Sequence, residues 1–424
     1  MIKVINSNNK NYIKKINIFL EKRRKVESKD KILVKNILKD IKKNKIKAII
    51  KYEKKFSKNK IIKPSKEQIN KAIKKLDPKV KKAIDFAYDR IFKFHSEQIK
   101  NLKNIYYKDK YKNILEYRNV PIDSVGIYVP GNLPSTLLMN SIPAKLAKVK
   151  RIVLATPKIN CNLNPAVLYA AKKVGINEIY SFGGAQAIGS LAYIQKVSKI
   201  VGPGNKFVSE AKRQLSGKTV GVESMFAGPS EICVLADRYS NINQIATSLV
   251  SQAEHDYDSQ CILVTKHENI IKKVNEKIKI LLKSLPRQKI ASSSLKKHGL
   301  ILLVKNDKQI IESINIISTE HLELLVKNYN KYSKKIVNAG SICNGHYSAM
   351  CLSDYTVGTN HVLPTSGSAR FSSGLNINEF IKKISVVTLS KLGVEKISNP
   401  AITLSEFEQL YGHAQSIKSR LRRG

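Results

Sequence analysis

The chain has no apolar run long enough to cross a bilayer, and its opening, Met1-Ile-Lys-Val-Ile-Asn-Ser-Asn-Asn-Lys10, lacks the apolar core of a signal peptide. A cytoplasmic protein is expected. Cysteine is scarce: Cys161, Cys233, Cys261, Cys343 and Cys351 form an odd set with no Cys-x-x-Cys pair. That excludes a disulfide framework and a thiolate zinc knuckle and predicts reduced, mostly buried thiols. Acidic residues are few, 32 against 76 Lys plus Arg, which leaves a formal net charge of +44. Such a surplus first suggests phosphate polyanions. It is mainly Lys spread along the chain, however, with Ile and Asn also abundant, and base-stacking clusters of aromatics with Arg are missing. The surplus therefore reads as an A/T-rich coding bias on a tolerant surface, giving salt-sensitive stickiness but no specific nucleic-acid partner. Internal repeats and long low-complexity linkers are absent, as are the Gly-x-Gly-x-x-Gly fingerprint and the phosphate loop Gly-x-x-x-x-Gly-Lys-Ser/Thr, since Gly217-Lys-Thr219 has Lys212 in place of that loop's first glycine.

What is present is enough chain, 424 residues with 42% hydrophobic, for two or three packed domains. From Met1 to about Asn119, Lys-rich amphipathic patterns read as helical, for instance Ile69, Ala72, Ile73 and Leu76 in a helix that Asp77-Pro78 ends. The texture changes at Val120, where a short β-rich run ends in the Pro130-Gly131 turn. Helices are then predicted over 135–149, 164–174 and 185–194, alternating with strands over 151–156, 178–182 and 199–201. A second alternation places strands at 231–237, 260–265 and 299–304 and helices at 242–254, 267–285 and 308–317. This is the pattern of an α/β fold with parallel sheets. Gly183-Gly-Ala-Gln186 and Gly202-Pro-Gly-Asn205 follow predicted strands, at the carboxyl edge where open α/β sheets place ligands. Beyond about Asn376 helical periodicity returns, and the segment 404–421 carries Glu408 and His413.

Gln252 and His255 are three residues apart, so on a helix both side chains point toward one spot. An imidazole is a standard zinc donor and a Gln carbonyl a weak one, so the pair could form half of a metal shell. Taken alone, such a pair is more often hydrogen-bonded structure. The other half has to come from elsewhere in the chain.

The ordered blocks Gly126-Ile-Tyr128-Val-Pro-Gly131, Gly183-Gly-Ala-Gln186-Ala-Ile188, Gly202-Pro-Gly-Asn205, Ala227-Gly-Pro-Ser230-Glu231, Ser251-Gln252-Ala-Glu-His255, Glu320-His321-Leu322, Asp354-Tyr355 and Asn360-His361-Val-Leu-Pro-Thr365, then Glu408 and His413, cover most of the chain beyond residue 120. Together they resemble the histidinol dehydrogenase family. The resemblance implies zinc held by Gln252, His255, Asp354 and His413, with Glu320 and His321 as the acid/base pair. It further implies NAD contacts at Tyr128, Gln186 and Asn205. Substrate contacts would come from Ser230, Gln252, His255, His321, Asp354, His361, Glu408 and His413. The implied reaction is a four-electron oxidation of L-histidinol through the aldehyde to L-histidine. The implied architecture is two Rossmann-like domains without the Gly-x-Gly-x-x-Gly fingerprint: a helical arm over 1–28, a larger α/β domain from 29–127 and 231–375, and an NAD-contacting domain over 128–230. A helical tail, 376–424, would cross to a second copy and complete its site in a homodimer.

Some positions depart from the family's pattern. The loop after Gly131 and the stretch between Tyr193 and Lys199 are short, and both border the cofactor loops, so a shift in cofactor contacts is expected there. Ser318-Thr319 replaces Ala-Pro before Glu-His, and Ser353 replaces a Gly before Asp354. Alternatives from the residues themselves are a dehydrogenase for another amino alcohol, an aldehyde dehydrogenase working through a cysteine thiohemiacetal, and a catalytically decayed basic nucleic-acid binding protein.

Overall fold

The computed structural model describes residues 2–24, 28–59, 62–159, 162–223 and 228–421. Cys161, and Ala227 at the head of the Ala-Gly-Pro-Ser-Glu block, lie outside the described residues. Among the described residues, no helix is long and apolar enough to cross a membrane.

Strand β1 (Lys3–Asn6) opens the chain, and β2 (Ile105–Lys108) and β3 (Ile114–Pro121) follow a helical stretch. Next, β4 (Ser124–Tyr128), β5 (Arg151–Ala155), β6 (Glu178–Tyr180), β7 (Lys199–Val201) and β8 (Gly221–Val222) form a parallel sheet in the order β6-β5-β4-β7-β8. A second parallel sheet uses β9 (Glu231–Ala236), β10 (Gln260–Thr265), β11 (Gly299–Leu303), β12 (His321–Leu325) and β13 (Ser341–Asn344). With β1 at its edge, its order is β1-β11-β10-β9-β12-β13. β14 (Ile381–Thr388) runs antiparallel to β3, which also pairs with β2.

Local sequence explains these elements. β9 and β10 read Glu-Ile-Cys-Val-Leu-Ala and Gln-Cys-Ile-Leu-Val-Thr, buried at every position, which is the mark of strands covered on both faces. Helix Pro165–Val174 starts at Asn164, whose side chain accepts from the Ala166 and Val167 amides, and ends at Gly175 with φ 91°, a left-handed cap. Each parallel sheet lies between two helical layers. On the smaller sheet, Leu137, Leu138 and Ile142 pack with Ile84 and Ile91 on one face, while Val34, Leu38 and Ile41 pack with Ile188 and Leu191 on the other. On the larger sheet, Leu249 and Val274 cover one face and Ile16 and Ile314 the opposite one.

The structure departs from expectation at both ends. The region up to residue 119 is not wholly helical: β1 lies inside the expected arm and pairs Lys3–Asn6 with Leu300–Leu303, and β2 and β3 form a hairpin. Helices Ser28–Ser57 and Pro78–Lys100 pack on the smaller sheet, which differs from the expected grouping of 29–127 with the larger domain. The tail passes through a short 3-10 turn, Ile377–Phe380, into β14, where eight residues find a partner in β3, before helices Lys391–Phe407 and Tyr411–Leu421. These two helices break at Gln409, which takes φ 62°.

Candidate active site

Parallel register brings Glu231, Gln260, His321 and Ser341 to one edge, because Gln260 pairs with Glu231, His321 with Ile232, and Ser341 with His321. This is the amino edge of the larger sheet. Glu320, one residue before β12, receives the Glu231 amide on its Oε2 at 2.9 Å. Its carboxyl is buried, and burial first, then the Asp354 carboxylate, pushes its pKa well above the ordinary range.

His321 is also buried. Its Nε2 lies 3.9 Å from both Glu320 Oε1 and Asp354 Oδ1, and its Nδ1 is buried without a partner. Burial, assisted by the nearby His361 and His255, lowers its pKa to about 3, so at neutral pH the ring is uncharged and carries a lone pair. Asp354 ends the short helix Met350–Ser353, whose first amide, Met350 N, donates to the buried Glu323 at 2.6 Å. Burial raises the Asp354 carboxyl to about 7. The Asp354 carbonyl accepts from His361 Nδ1 at 2.8 Å, which fixes the tautomer and leaves His361 Nε2 3.3 Å from Thr136 Oγ1. Thr136 belongs to helix Pro134–Leu146, directly after β4, so this contact joins the two sheets' territories.

Gln252 stands in the last turn of helix Ile242–Ala253, and its Oε1 is buried with no hydrogen-bond partner. His255 follows just beyond that helix. Its amide still donates to the Gln252 carbonyl at 3.2 Å, so the expected shared turn is present although His255 is outside the helix proper. His255 is open to solvent at the rim, and partial desolvation lowers its pKa. Ser230 immediately precedes β9, and its carbonyl accepts from the Gln260 amide at 2.9 Å.

Glu408 and His413 are not brought to this cluster within one chain. Glu408 caps helix Lys391–Phe407, His413 lies on helix Tyr411–Leu421, and both are exposed. Among the described residues, no three His, Cys, Asp or Glu side chains form a metal shell.

On the smaller sheet, the carboxyl edge carries the second group. Tyr128 ends β4 and is buried; its hydroxyl accepts from the Gly184 amide at 3.4 Å. Gln186, two residues into helix Gly184–Tyr193, is buried and donates to Glu53 at 2.9 Å. Asn205 caps helix Lys206–Leu215, accepting from the Phe207 and Val208 amides. Gly202, at φ 110°, could carry no side chain, because a Cβ there would fall 2.0 Å from the Tyr128 carbonyl.

The residues behind these groups carry no motif in the sequence. Arg23, from helix Tyr12–Arg24, pairs with Glu231 in a buried ion pair and donates to the carbonyls of Pro229 and Asp258. Glu53 and Glu323 are buried carboxyls supporting Gln186 and the Asp354 turn. A usable signal exists for one of them: an isolated Glu in the Lys-rich run Lys51-Tyr-Glu53-Lys-Lys55 stands out in a chain with so few acidic residues.

Comparison with known proteins identifies the family. The family model described as histidinol dehydrogenase matches residues 20–421. The chain is 54% identical to the histidinol dehydrogenase of Pelagibacter ubique over the whole of both, and 40% identical to that of Bacillus subtilis over 92% of this chain and 93% of that one. The crystal structure of histidinol dehydrogenase from Elizabethkingia anophelis superposes with a TM-score of 0.91 at 36% identity, covering 99% of this chain and 98% of that one. With a family match over nearly its full length and a shared fold, this chain belongs to the histidinol dehydrogenase family and is an oxidoreductase.

Proposed function

We propose that this protein oxidises L-histidinol through L-histidinal to L-histidine, the last steps of histidine biosynthesis, as a cytoplasmic, zinc-dependent, NAD-linked homodimer. The observation that carries the reading is the convergence of Glu320, His321 and Asp354, with both carboxyl groups 3.9 Å from one buried imidazole.

The residues fit a metal. Gln252 Oε1 is a buried carbonyl oxygen with nothing to bind, and Asp354 is a carboxyl driven toward neutrality by burial, which a cation beside it would reverse. Gln252, His255 and Asp354 would hold zinc together with His413, a set with one anionic ligand and no thiolate. They also fit a dinucleotide. Gly184 and Gly202 take φ 63° and 110°, and helix Gly184–Tyr193 begins without a side-chain cap, so backbone can approach a phosphate closely. Tyr128, Gln186 and Asn205 border those loops and would contact NAD. When bound, zinc supplies Lewis acidity and NAD a hydride acceptor.

The chain's own groups divide the proton work. His321 accepts the alcohol proton as the carbon is oxidised, with the Glu320 and Asp354 carboxyls beside its Nε2 to stabilise the ring as it gains charge. The second oxidation starts from an aldehyde to which water must add. Glu320, held by the Glu231 amide with its proton affinity raised, takes the proton from that water. Ser230, His361 and Glu408 would join His321 and the metal ligands against substrate.

Because Glu408 and His413 stand on an exposed tail, they would complete the site of a second copy. Exposed apolar side chains along that tail, Leu404, Leu410 and Phe407 (85% exposed), support its docking on a partner. The cysteine-based alternative finds no support among the four described thiols. Burial raises all of them, Cys343 to about 12, away from the thiolate such chemistry needs. The test is NADH formed per L-histidinol before chelation, after it, and after zinc is restored. Two NADH per substrate, lost and regained with the metal, is the expected result, and metal-independent turnover would refute the mechanism.

A further inference from the structure

Glu53, from helix Ser28–Ser57, is fully buried against the carboxyl edge of the smaller sheet. Three amide donors converge on it. Its Oε1 accepts from the Gly183 amide at 3.1 Å and from Gln186 Nε2 at 2.9 Å, and its Oε2 accepts from Asn59 Nδ2 at 3.4 Å. The same Asn59 nitrogen donates to the Ser181 carbonyl, so that amide is held from two sides. Three donors on one buried carboxylate offset the cost of taking it out of water.

A carboxylate only accepts, so Gln186 must turn its nitrogen toward Glu53. Its oxygen is thereby turned toward Gly184, where a Cβ would meet Gln186 Oε1 at 2.8 Å. The Gly184 amide donates to the Tyr128 hydroxyl. Two of the cofactor contacts therefore meet at one glycine, and the orientation of one of them is dictated from beneath by Glu53.

We propose that Glu53 is a positioning residue for the dinucleotide: by fixing the Gln186 amide it makes the cofactor-facing atom a hydrogen-bond acceptor, which selects a hydroxyl or amide donor on the cofactor. The inference rests on the NAD reading above. Glu53→Gln gives position 53 an amide that can meet either end of Gln186, so the preset orientation is lost. Asn59→Ala leaves the charge in place and removes one restraint on it.

Both variants are compared with wild type by calorimetric titration with NAD and by steady-state kinetics, with thermal melting to establish that each is folded. Glu53→Gln is expected to raise the Kd and KM for NAD about tenfold, the equivalent of one hydrogen bond. Its KM for histidinol, its metal content and its kcat at saturating NAD should stay within about twofold of wild type. Asn59→Ala should move NAD affinity the same way by about threefold, and it carries the test if Glu53→Gln does not fold. A lowered melting temperature with unchanged NAD affinity would mean that Glu53 is only structural and would overturn the proposal. Wild type that binds no NAD would overturn the dinucleotide reading and this inference together, whereas unchanged affinity in both variants of an NAD-binding protein would overturn this inference alone.

Discussion

The backbone amide of Glu231 donates to the Glu320 carboxylate at 2.9 Å, and the amide of Glu320 donates back to the Glu231 carboxylate at 3.3 Å. This exchange ties the first residue of β9 to the residue before β12, so the carboxyl assigned to water activation cannot swing. Arg23 completes it from helix Tyr12–Arg24 by pairing with Glu231, both side chains being only 3% exposed. Removing the cation would leave the buried Glu231 carboxylate without its charge partner. Arg23→Ala should therefore cost about 3–5 kcal/mol of stability, well beyond a surface pair. Urea denaturation at neutral pH measures it, and a loss below about 1 kcal/mol would show that the pair is not a working part of the floor.

The two oxidations should separate in Glu320→Gln. The amide keeps the shape and can still receive the Glu231 N–H, but it cannot take a proton from water. Oxidation of histidinal is expected to fall by about 10²- to 10⁴-fold, while reduction of the first NAD from histidinol falls far less. Single-turnover measurements started from each substrate separately decide this. Equal losses would mean that Glu320 serves both steps alike.

Much of this site was legible because its signals are local. Gln252 and His255 share one turn at the end of helix Ile242–Ala253, and Gly184 and Gly202 lie in the turns that follow β6 and β7, so spacing and turn chemistry point to both places. The central strands β9 and β10 are unbroken apolar runs and were equally plain. Strand β1 was not, because four residues become a strand only by pairing with β11, nearly three hundred positions away. β14 was hidden for the same reason: its pairing partner, β3, is more than two hundred residues upstream. The proposed metal set shows the limit most clearly. No spacing relates Asp354 or His413 to Gln252, and only the ordered family blocks do. The supports Arg23, Glu53 and Glu323 carry no motif at all, since their role comes from burial and from what lies above them.

Acid should weaken the fold in part through His95. It is buried in helix Pro78–Lys100, with Nδ1 3.0 Å from Gln98 Oε1 and Nε2 3.5 Å from the amide of Asn360, the residue before His361. Burial lowers its pKa below the ordinary 6.5, and the Gln98 contact only partly opposes this. A depressed folded pKa contributes stability that is full above 6.5 and is lost as pH falls through the folded value. His321 and His361 act in the same direction. Denaturation midpoints at about pH 7.5 and 5.5 should show wild type weakening and His95→Gln weakening less over that interval. Identical slopes would remove His95 from the acid response.

The tail is where the proposed site depends on a second molecule. Helix Lys391–Phe407 ends at Glu408, Gln409 breaks the chain direction with φ 62°, and His413 follows on the next helix with its side chain exposed. If each tail completes the other chain's site, defects in body and tail should complement. His255→Asn alone disables every body, and His413→Asn alone every tail, so each homodimer should be inactive. In a mixed dimer, one site combines the defective body with the defective tail, and the other combines intact body with intact tail. Co-expression with random pairing makes about half of the dimers mixed, each with one working site, so about a quarter of wild-type activity is expected. A tail that serves its own body would leave every site in every pairing defective. Activity recovered on co-expression, and lost again when each variant is purified alone, is the expected outcome, and its absence in verified mixed dimers would refute tail exchange.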